Sequence, residues 1–159
     1  MKNVRNIVMG EYIVTDNEYD AITTFVGSCI ALYIYDQKRR ITGAAHIALP
    51  TCKNGNKSEK GKYADLAIES ILEIMEKKGS NIKELNIKLA GGAQIFTSSS
   101  SELFNIGRNN INAVKNILND KGIRIVAEDL GGNYGRHITF NLNTFELIIK
   151  STKGVMKTI

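Results

Sequence analysis

Tryptophan is absent, proline occurs once, and 159 residues hold only two cysteines, Cys29 and Cys52, and two histidines, His46 and His137. Two cysteines exclude a disulfide-rich scaffold. The same short supply excludes zinc modules built from four cysteines, or from paired cysteines and histidines at ligand spacing. With one proline and no glycine-rich run there is no linker to divide the chain, so residues 1–159 are expected to form a single domain. No run of about 18 apolar residues occurs, so no membrane insertion is expected. Near the N-terminus the apolar stretch Ile7-Val8-Met9 is too short for the core of a signal peptide. These absences point to a cytoplasmic protein with reduced thiols.

What is present is globular in proportion: 43% hydrophobic and 23% charged residues. The net charge of +5 would suit an acidic partner. Lysines outnumber arginines 15 to 6 in a chain rich in Ile and Asn, a skew that resembles codon bias. Aromatic residues are only 7% and do not interleave with the basic ones. No nucleic-acid partner is expected from that pattern.

Two segments carry helical period. Over 62–78, Ala64, Ala67, Ile68, Ile71, Leu72 and Met75 form one stripe, Glu73 and Lys77 can pair, and Gly79 supplies the stop. Over 106–121, Ile111, Val114, Ile117 and Leu118 form a second stripe, closed by Gly122. The remainder reads as strands at 29–35, 41–49, 85–90, 123–127, 137–142 and 145–150, with a polar hairpin loop at 36–40 and Asn143-Thr144 as a two-residue turn. The serine run at 98–101 reads as a loop. Strands in runs with two amphipathic helices between them predict an α+β sandwich, mostly antiparallel, with the helices in one layer.

The glycine clusters do not make a nucleotide site. Gly91-Gly92 lacks the Gly-Lys-Ser/Thr of a P-loop, and the cluster at 131–135 leads into a strand instead of a helix N-terminus. More specific is Thr23-Thr24-Phe25-Val26-Gly27-Ser28-Cys29, followed by His46 and Pro50. Gly-Ser before a cysteine permits an unusual turn that holds a thiol at a strand entry. If 29–35 and 41–49 pair as a hairpin centred near Lys38, residues 46–48 lie opposite Cys29 and His46 can sit beside the thiol. An imidazole in reach would lower the thiol pKa and supply a base. The spacing leaves a second reading open, in which Cys29 is a small buried hydrophobe and His46 a filler. Lys53, Lys57, Lys60 and Lys62 form a basic stretch that is either a solvated loop or a steering surface for acidic helices.

The blocks VGSCIALYIYD, GAAHIALP, KYADLAI, KLAGGAQIF, IGRNN and EDLGGNYGRHITFNLNT, spread over residues 22–150, resemble in order the successive motifs of the CheD chemotaxis family. The cysteine with a histidine 17 residues later is the most diagnostic pair. The resemblance implies an α/β/β sandwich similar to the catalytic domain of toxins that deamidate glutamine in small GTPases. It implies a glutamine deamidase acting on the cytoplasmic helices of chemoreceptors, with no metal or organic cofactor. The family's catalytic residues map to Cys29 and His46, and its histidine-orienting threonine, six residues before the cysteine, maps to Thr23. Backbone N–H groups around Gly27 and Ser28 are the candidate oxyanion donors. Gly91, Gly92, Gln94, Lys53 and Lys57 are candidates for substrate or partner contact. Cys52 and His137 read as bystanders. The family also implies a protein partner, the phosphatase CheC, whose action on phosphorylated CheY its members raise. A monomer or a hetero-complex with CheC is expected. A binding module that only docks CheC would not need the Cys–His pair, and a peptidase or acyltransferase reading has no motif of its own. Hydrolysis of glutamyl methyl esters through the same thioester would be a side activity.

Overall fold

The computed structural model describes residues 1–95 and 105–159, so the serine run at 98–101 lies outside the described residues. Among the described residues ten strands form two five-stranded sheets. In chain order they are β1 (Val4–Asn6), β2 (Tyr12–Thr15), β3 (Ala21–Val26), β4 (Ile30–Asp36), β5 (Ile41–Ile47), β6 (Asn86–Gly91), β7 (Arg124–Leu130), β8 (Arg136–Asn141), β9 (Leu147–Ser151) and β10 (Met156–Thr158). Helix α1 (Ala64–Lys77) precedes β6 and α2 (Ile106–Asp120) precedes β7. One sheet runs β1-β3-β8-β9-β10 and the other β2-β5-β4-β6-β7. Among the described strands only β1 with β3 and β6 with β7 pair in parallel. The α+β sandwich read from the sequence is the architecture found.

Two cores explain the layering. Ile30, Leu32, Ile34, Ala45 and Ile47 face the helices and pack with Ile68, Ile71, Met75, Val114 and Leu118. Alternate residues of the same strands, Ala31, Tyr33, Tyr35 and Ala44, face the second sheet and meet Ile22, Val26, Ile138, Phe140 and Leu147. Tyr33 stacks on Phe140 at 4.7 Å between ring centroids, fixing the contact between the sheets. Strand β4 is therefore covered on both sides, and every one of its residues is buried. That is why CIALYIY is apolar along its length rather than alternating.

The α1 stripe read from the sequence is the buried face observed, with the Glu73–Lys77 contact at 3.0 Å and Gly79 at φ +100 ending the helix. The face of α2 is rotated from expectation. Its buried residues are Gly107, Asn110, Val114 and Leu118, while Ile111 and Ile117 are only partly covered. The link from β8 to β9 is also longer than the two-residue turn expected. Asn141 Oδ1 accepts from the N–H groups of Asn143 and Thr144, at 2.8 and 3.1 Å, and Phe145 takes φ +60 to stack its ring on Tyr35. Strands β1, β2, β3 and β10 carry too weak a pattern to be read from the sequence. Of these, β3 has the greatest consequence, because Thr23 and Thr24 lie on it. Among the described residues no helix is long and apolar enough to cross a membrane.

Candidate active site

Cys29 lies one residue before β4, and His46 lies near the end of β5. The two strands pair antiparallel with Ala31 opposite His46. Cys29 precedes Ala31 by two residues, so a strand's period of two puts the thiol and the imidazole on one face, as diagonal neighbours. Cys29 packs against the core between the sheets, confirming that face. Diagonal partners stand roughly 7–8 Å apart at Cα, and both side chains extend into the gap. No hydrogen bond joins Sγ to the imidazole in this resting state.

His46 is tethered from the other sheet. Its Nδ1 lies 2.8 Å from Thr24 Oγ1, and the same hydroxyl lies 2.7 Å from the Ile7 carbonyl. A hydroxyl has one proton and a carbonyl can only accept, so Thr24 donates to Ile7. Thr24 therefore accepts from Nδ1–H, and the neutral imidazole carries its proton on Nδ1. Nε2 is left as the basic nitrogen. The ring is nearly enclosed, with 6% of the residue exposed. Burial holds the His46 pKa below its ordinary value, against smaller opposing effects of the Ile7 carbonyl and the Glu11 charge.

At the threonine the observed contacts differ from what the resemblance implies. The resemblance assigned the orienting role to Thr23, but the Thr23 hydroxyl donates to the Ile138 carbonyl at 2.7 Å and lies 3.4 Å from Thr139 Oγ1. The reason is strand parity. On β3, Ile22, Thr24 and Val26 point between the sheets, while Thr23 and Phe25 point to the other face. Phe25 there rests on the ring of its cross-strand partner His137 at 4.6 Å, which explains His137 without a chemical role.

The turn that carries the thiol is fixed through three successive carbonyls. Gly27 O accepts from Ala93 N at 2.9 Å, and Cys29 O accepts from Gly92 N at 2.9 Å. Between them, Ser28 O accepts from Asn110 Nδ2 at 3.0 Å. Gly91 has φ +117, and a Cβ there would collide with Cys29 O, so glycine is required beside the thiol. Gly91 and Gly92 thus shape the backbone around Cys29. Gln94 lies in a separate small cleft with Gly92, Arg108 and Gly132, and its side chain donates to Asn105 at 3.3 Å. Lys53 and Lys57 are exposed in the connection after β5 and hydrogen-bond to none of Cys29, Thr24 or His46. The free thiol of Cys52 follows the same strand, where Cys52 N donates to Asp65.

Electrostatically the thiol differs from the sequence reading. Burial pushes the Cys29 pKa up, away from a standing thiolate. With His46 pushed down, thiol and imidazole are both neutral at rest. A cleft of about 260 Å³ opens at His46, and its lining includes Ile7, Val8, Met9 and Phe25. Val8, Met9 and Phe25 are exposed, giving that cleft an apolar rim.

A helix layer on two sheets, with a thiol at a strand entry and an imidazole held from the opposite sheet, defines a cysteine–histidine site in an α/β/β sandwich. Comparison with known proteins carries this further. The family model described as CheD chemotactic sensory transduction matches residues 48–151. The "Probable chemoreceptor glutamine deamidase CheD" of Archaeoglobus fulgidus is 45% identical over 132 residues, covering 83% of each chain. The "Chemoreceptor glutamine deamidase CheD" of Thermotoga maritima is 39% identical over 155 residues, 97% of this chain and 94% of that one, a span that includes Cys29 and His46. A solved structure, the hypothetical protein YfiH of Bacillus licheniformis, superposes with a TM-score of 0.49 at 15% identity, over 75% of this chain and 49% of that one. The chain belongs to the CheD family.

Sequence reasoning missed two residues of this site. Thr24 stands one residue from the position to which the resemblance assigns the orienting role, and the pattern of β3 is too weak in the sequence to show that Thr24 faces inward. Asn110 was missed because a polar residue on an amphipathic helix reads as solvent-facing, yet it is fully buried.

Proposed function

We propose that this protein is a chemoreceptor glutamine deamidase that hydrolyses selected glutamine side chains of receptor helices to glutamate and ammonia. The observation that carries the reading is the placement of Cys29 and His46 on one face, with Nδ1 already committed to Thr24 so that Nε2 is the base. Cys29 Sγ attacks the side-chain carboxamide carbon while His46 Nε2 takes the thiol proton. The carbonyl π electrons move to oxygen, and backbone N–H groups of the Gly27–Ser28–Cys29 turn hold that oxyanion. His46 then gives its proton to the amide nitrogen, the C–N bond breaks, and ammonia leaves a thioester on Cys29. Water, deprotonated by His46, attacks the thioester; the C–S bond breaks, the sulfur regains the proton, and glutamate is released.

Both partners being neutral at rest suits a substrate that is itself uncharged. The charge separation of thiolate and imidazolium arises only when the carboxamide fills the site and water is displaced. The exposed Val8, Met9 and Phe25 beside His46 suit the apolar flank of a helix that presents glutamine outward. CheC as a docking partner, the cytoplasm as the location and a single deamidase domain rest on family resemblance.

The test is mass spectrometry of a chemoreceptor cytoplasmic fragment incubated with wild type and with Cys29→Ala. A gain of about one dalton at glutamine with wild type only is expected. No gain with either protein would refute the reading.

A further inference from the structure

Asn110 is the one polar residue on the buried stripe of α2, between Gly107 and Val114, and it has no exposed surface. Its Nδ2 donates to Ser28 O and to Ala48 O, each at 3.0 Å. Both neighbours are carbonyl oxygens, so only the amide nitrogen can stand between them. Its Oδ1 is buried with no partner among the described residues. An apolar side chain would fill this stripe without burying an unpaired oxygen. What the position retains is therefore the two donors.

The two carbonyls belong to the two strand ends that carry the chemistry. Ser28 immediately precedes Cys29, and Ala48 follows His46 by two residues. Extended by one step past the last ladder pair, Ile30 with Ile47, the β4–β5 register brings Cys29 opposite residue 48. Asn110 bridges the ladder at the point where its regular hydrogen bonds stop. A trans peptide is planar, with its C=O and N–H pointing in opposite directions. Pinning Ser28 O toward α2 thus aims the Cys29 N–H away from α2. Among the described residues no backbone carbonyl accepts from that N–H, and Gly92 O, its expected ladder partner, lies close against Gly107 of α2.

We propose that Asn110 is a positioning residue for the reaction: it locks the Ser28–Cys29 peptide plane so that the Cys29 N–H is presented as the oxyanion donor. The inference deepens the deamidase reading and rests on it for its biological substrate. The chemistry of the peptide plane can nevertheless be read without a receptor.

Two probes of Cys29 separate the roles. Acylation by 4-nitrophenyl acetate passes through a tetrahedral oxyanion, whereas alkylation by iodoacetamide at a saturated carbon forms none. In Asn110→Ala the acylation rate is expected to fall about a hundredfold. The alkylation rate should stay within about threefold, since the thiol and His46 remain. Cys29→Ala gives the background for both reagents. Asn110→Asp keeps the side-chain volume but not the paired donors, and should show the same split. It carries the comparison should the alanine variant unfold by circular dichroism. Equal losses in both reactions would make Asn110 a general support of the fold and overturn the inference, as would acylation at the wild-type rate. A wild type that acylates but never deamidates receptor fragments would refute the deamidase reading alone.

Discussion

Thr24 Oγ1 lies 2.8 Å from His46 Nδ1 across the gap between the two sheets. Strand β3 belongs to one sheet and β5 to the other, so the orientation of the base depends on how the sheets are stacked. The Ile7 carbonyl, 2.7 Å from the same hydroxyl, removes the ambiguity of which atom donates. Three separate chain segments therefore set one tautomer.

If Thr24 positions the imidazole, Thr24→Val should lower kcat for deamidation by about tenfold to a hundredfold with little change in KM, because ring orientation is lost while the binding surface is kept. Thr24→Ser, which retains the hydroxyl, should recover most of the rate. Thr23→Val should change kcat by less than about threefold, its hydroxyl being engaged with Ile138 on the other face. Rates from mass spectra of receptor fragments decide it, and a larger loss in Thr23→Val would return the role to that residue.

The resting protonation states make a second prediction. Burial raises the Cys29 pKa and lowers that of His46. Iodoacetamide alkylation of Cys29 in the free protein should therefore be slow at neutral pH and climb through the alkaline range, above the ordinary thiol value. Deamidation, which needs neutral His46, should fail only as pH drops below the ordinary imidazole value of about 6.5. A thiol already fully reactive at pH 6 would contradict the neutral pair.

Stability should depend on the same histidine. Its folded pKa lies below its unfolded one, so on acidification the unfolded chain takes up the proton first. Stability contributed by neutral His46 is present above about pH 6.5 and is lost as pH falls from there toward the folded pKa. The slope for one proton is at most about 1.4 kcal/mol per pH unit. Urea unfolding of wild type and His46→Gln at pH 7.5 and 5.5 isolates this contribution, because other groups cancel in the difference. Wild type should lose more stability between the two conditions than the variant.

Arg136 and Asp129 hold the loop after β7. Arg136 is fully buried, with Nε 2.9 Å from Asp129 Oδ2 and Nη2 2.9 Å from Gly131 O. Gly131 N in turn donates to Gly91 O at 2.9 Å, linking this pair to the strand end beside Cys29. Asp129→Ala strands a buried guanidinium and should cost about 3–5 kcal/mol in chemical denaturation. Asp129→Leu combined with Arg136→Met should restore much of that loss. A single-variant cost below about 1 kcal/mol would show that the carbonyls of Gly131 and Tyr134, or water, suffice for the guanidinium.

Gly91→Ala tests the backbone beside the thiol. At φ +117, with Cys29 O in the way, any side chain is both strained and crowded. A destabilisation of about 2–3 kcal/mol is expected, with loss of deamidation in the fraction that still folds. Calorimetric melting together with the rate per folded molecule would measure both, and a neutral substitution would mean that the turn relaxes.

Helices α1 and α2 and the β4–β5 hairpin, whose register sets Cys29 and His46 on one face, were determined by sequence alone, because each rests on local periodicity or on a short hairpin sum. The apolar run at 29–35 announced a strand, and Gly79 and Gly122 announced the helix ends. Tertiary structure decided the rest. Whether Thr23 or Thr24 faces the histidine is a question of strand parity in β3, and Phe25 beside an alternating pattern hides that parity until the opposite sheet is in place. The inward turn of Asn110 depends on the carbonyls of Ser28 and Ala48 converging from segments 82 and 62 residues away. The pKa directions of the thiol and the imidazole depend on burial, which no spacing along the chain records. Local sequence put the thiol and the imidazole on neighbouring strands; the stacking of two sheets under a helix layer chose which neighbours hold them.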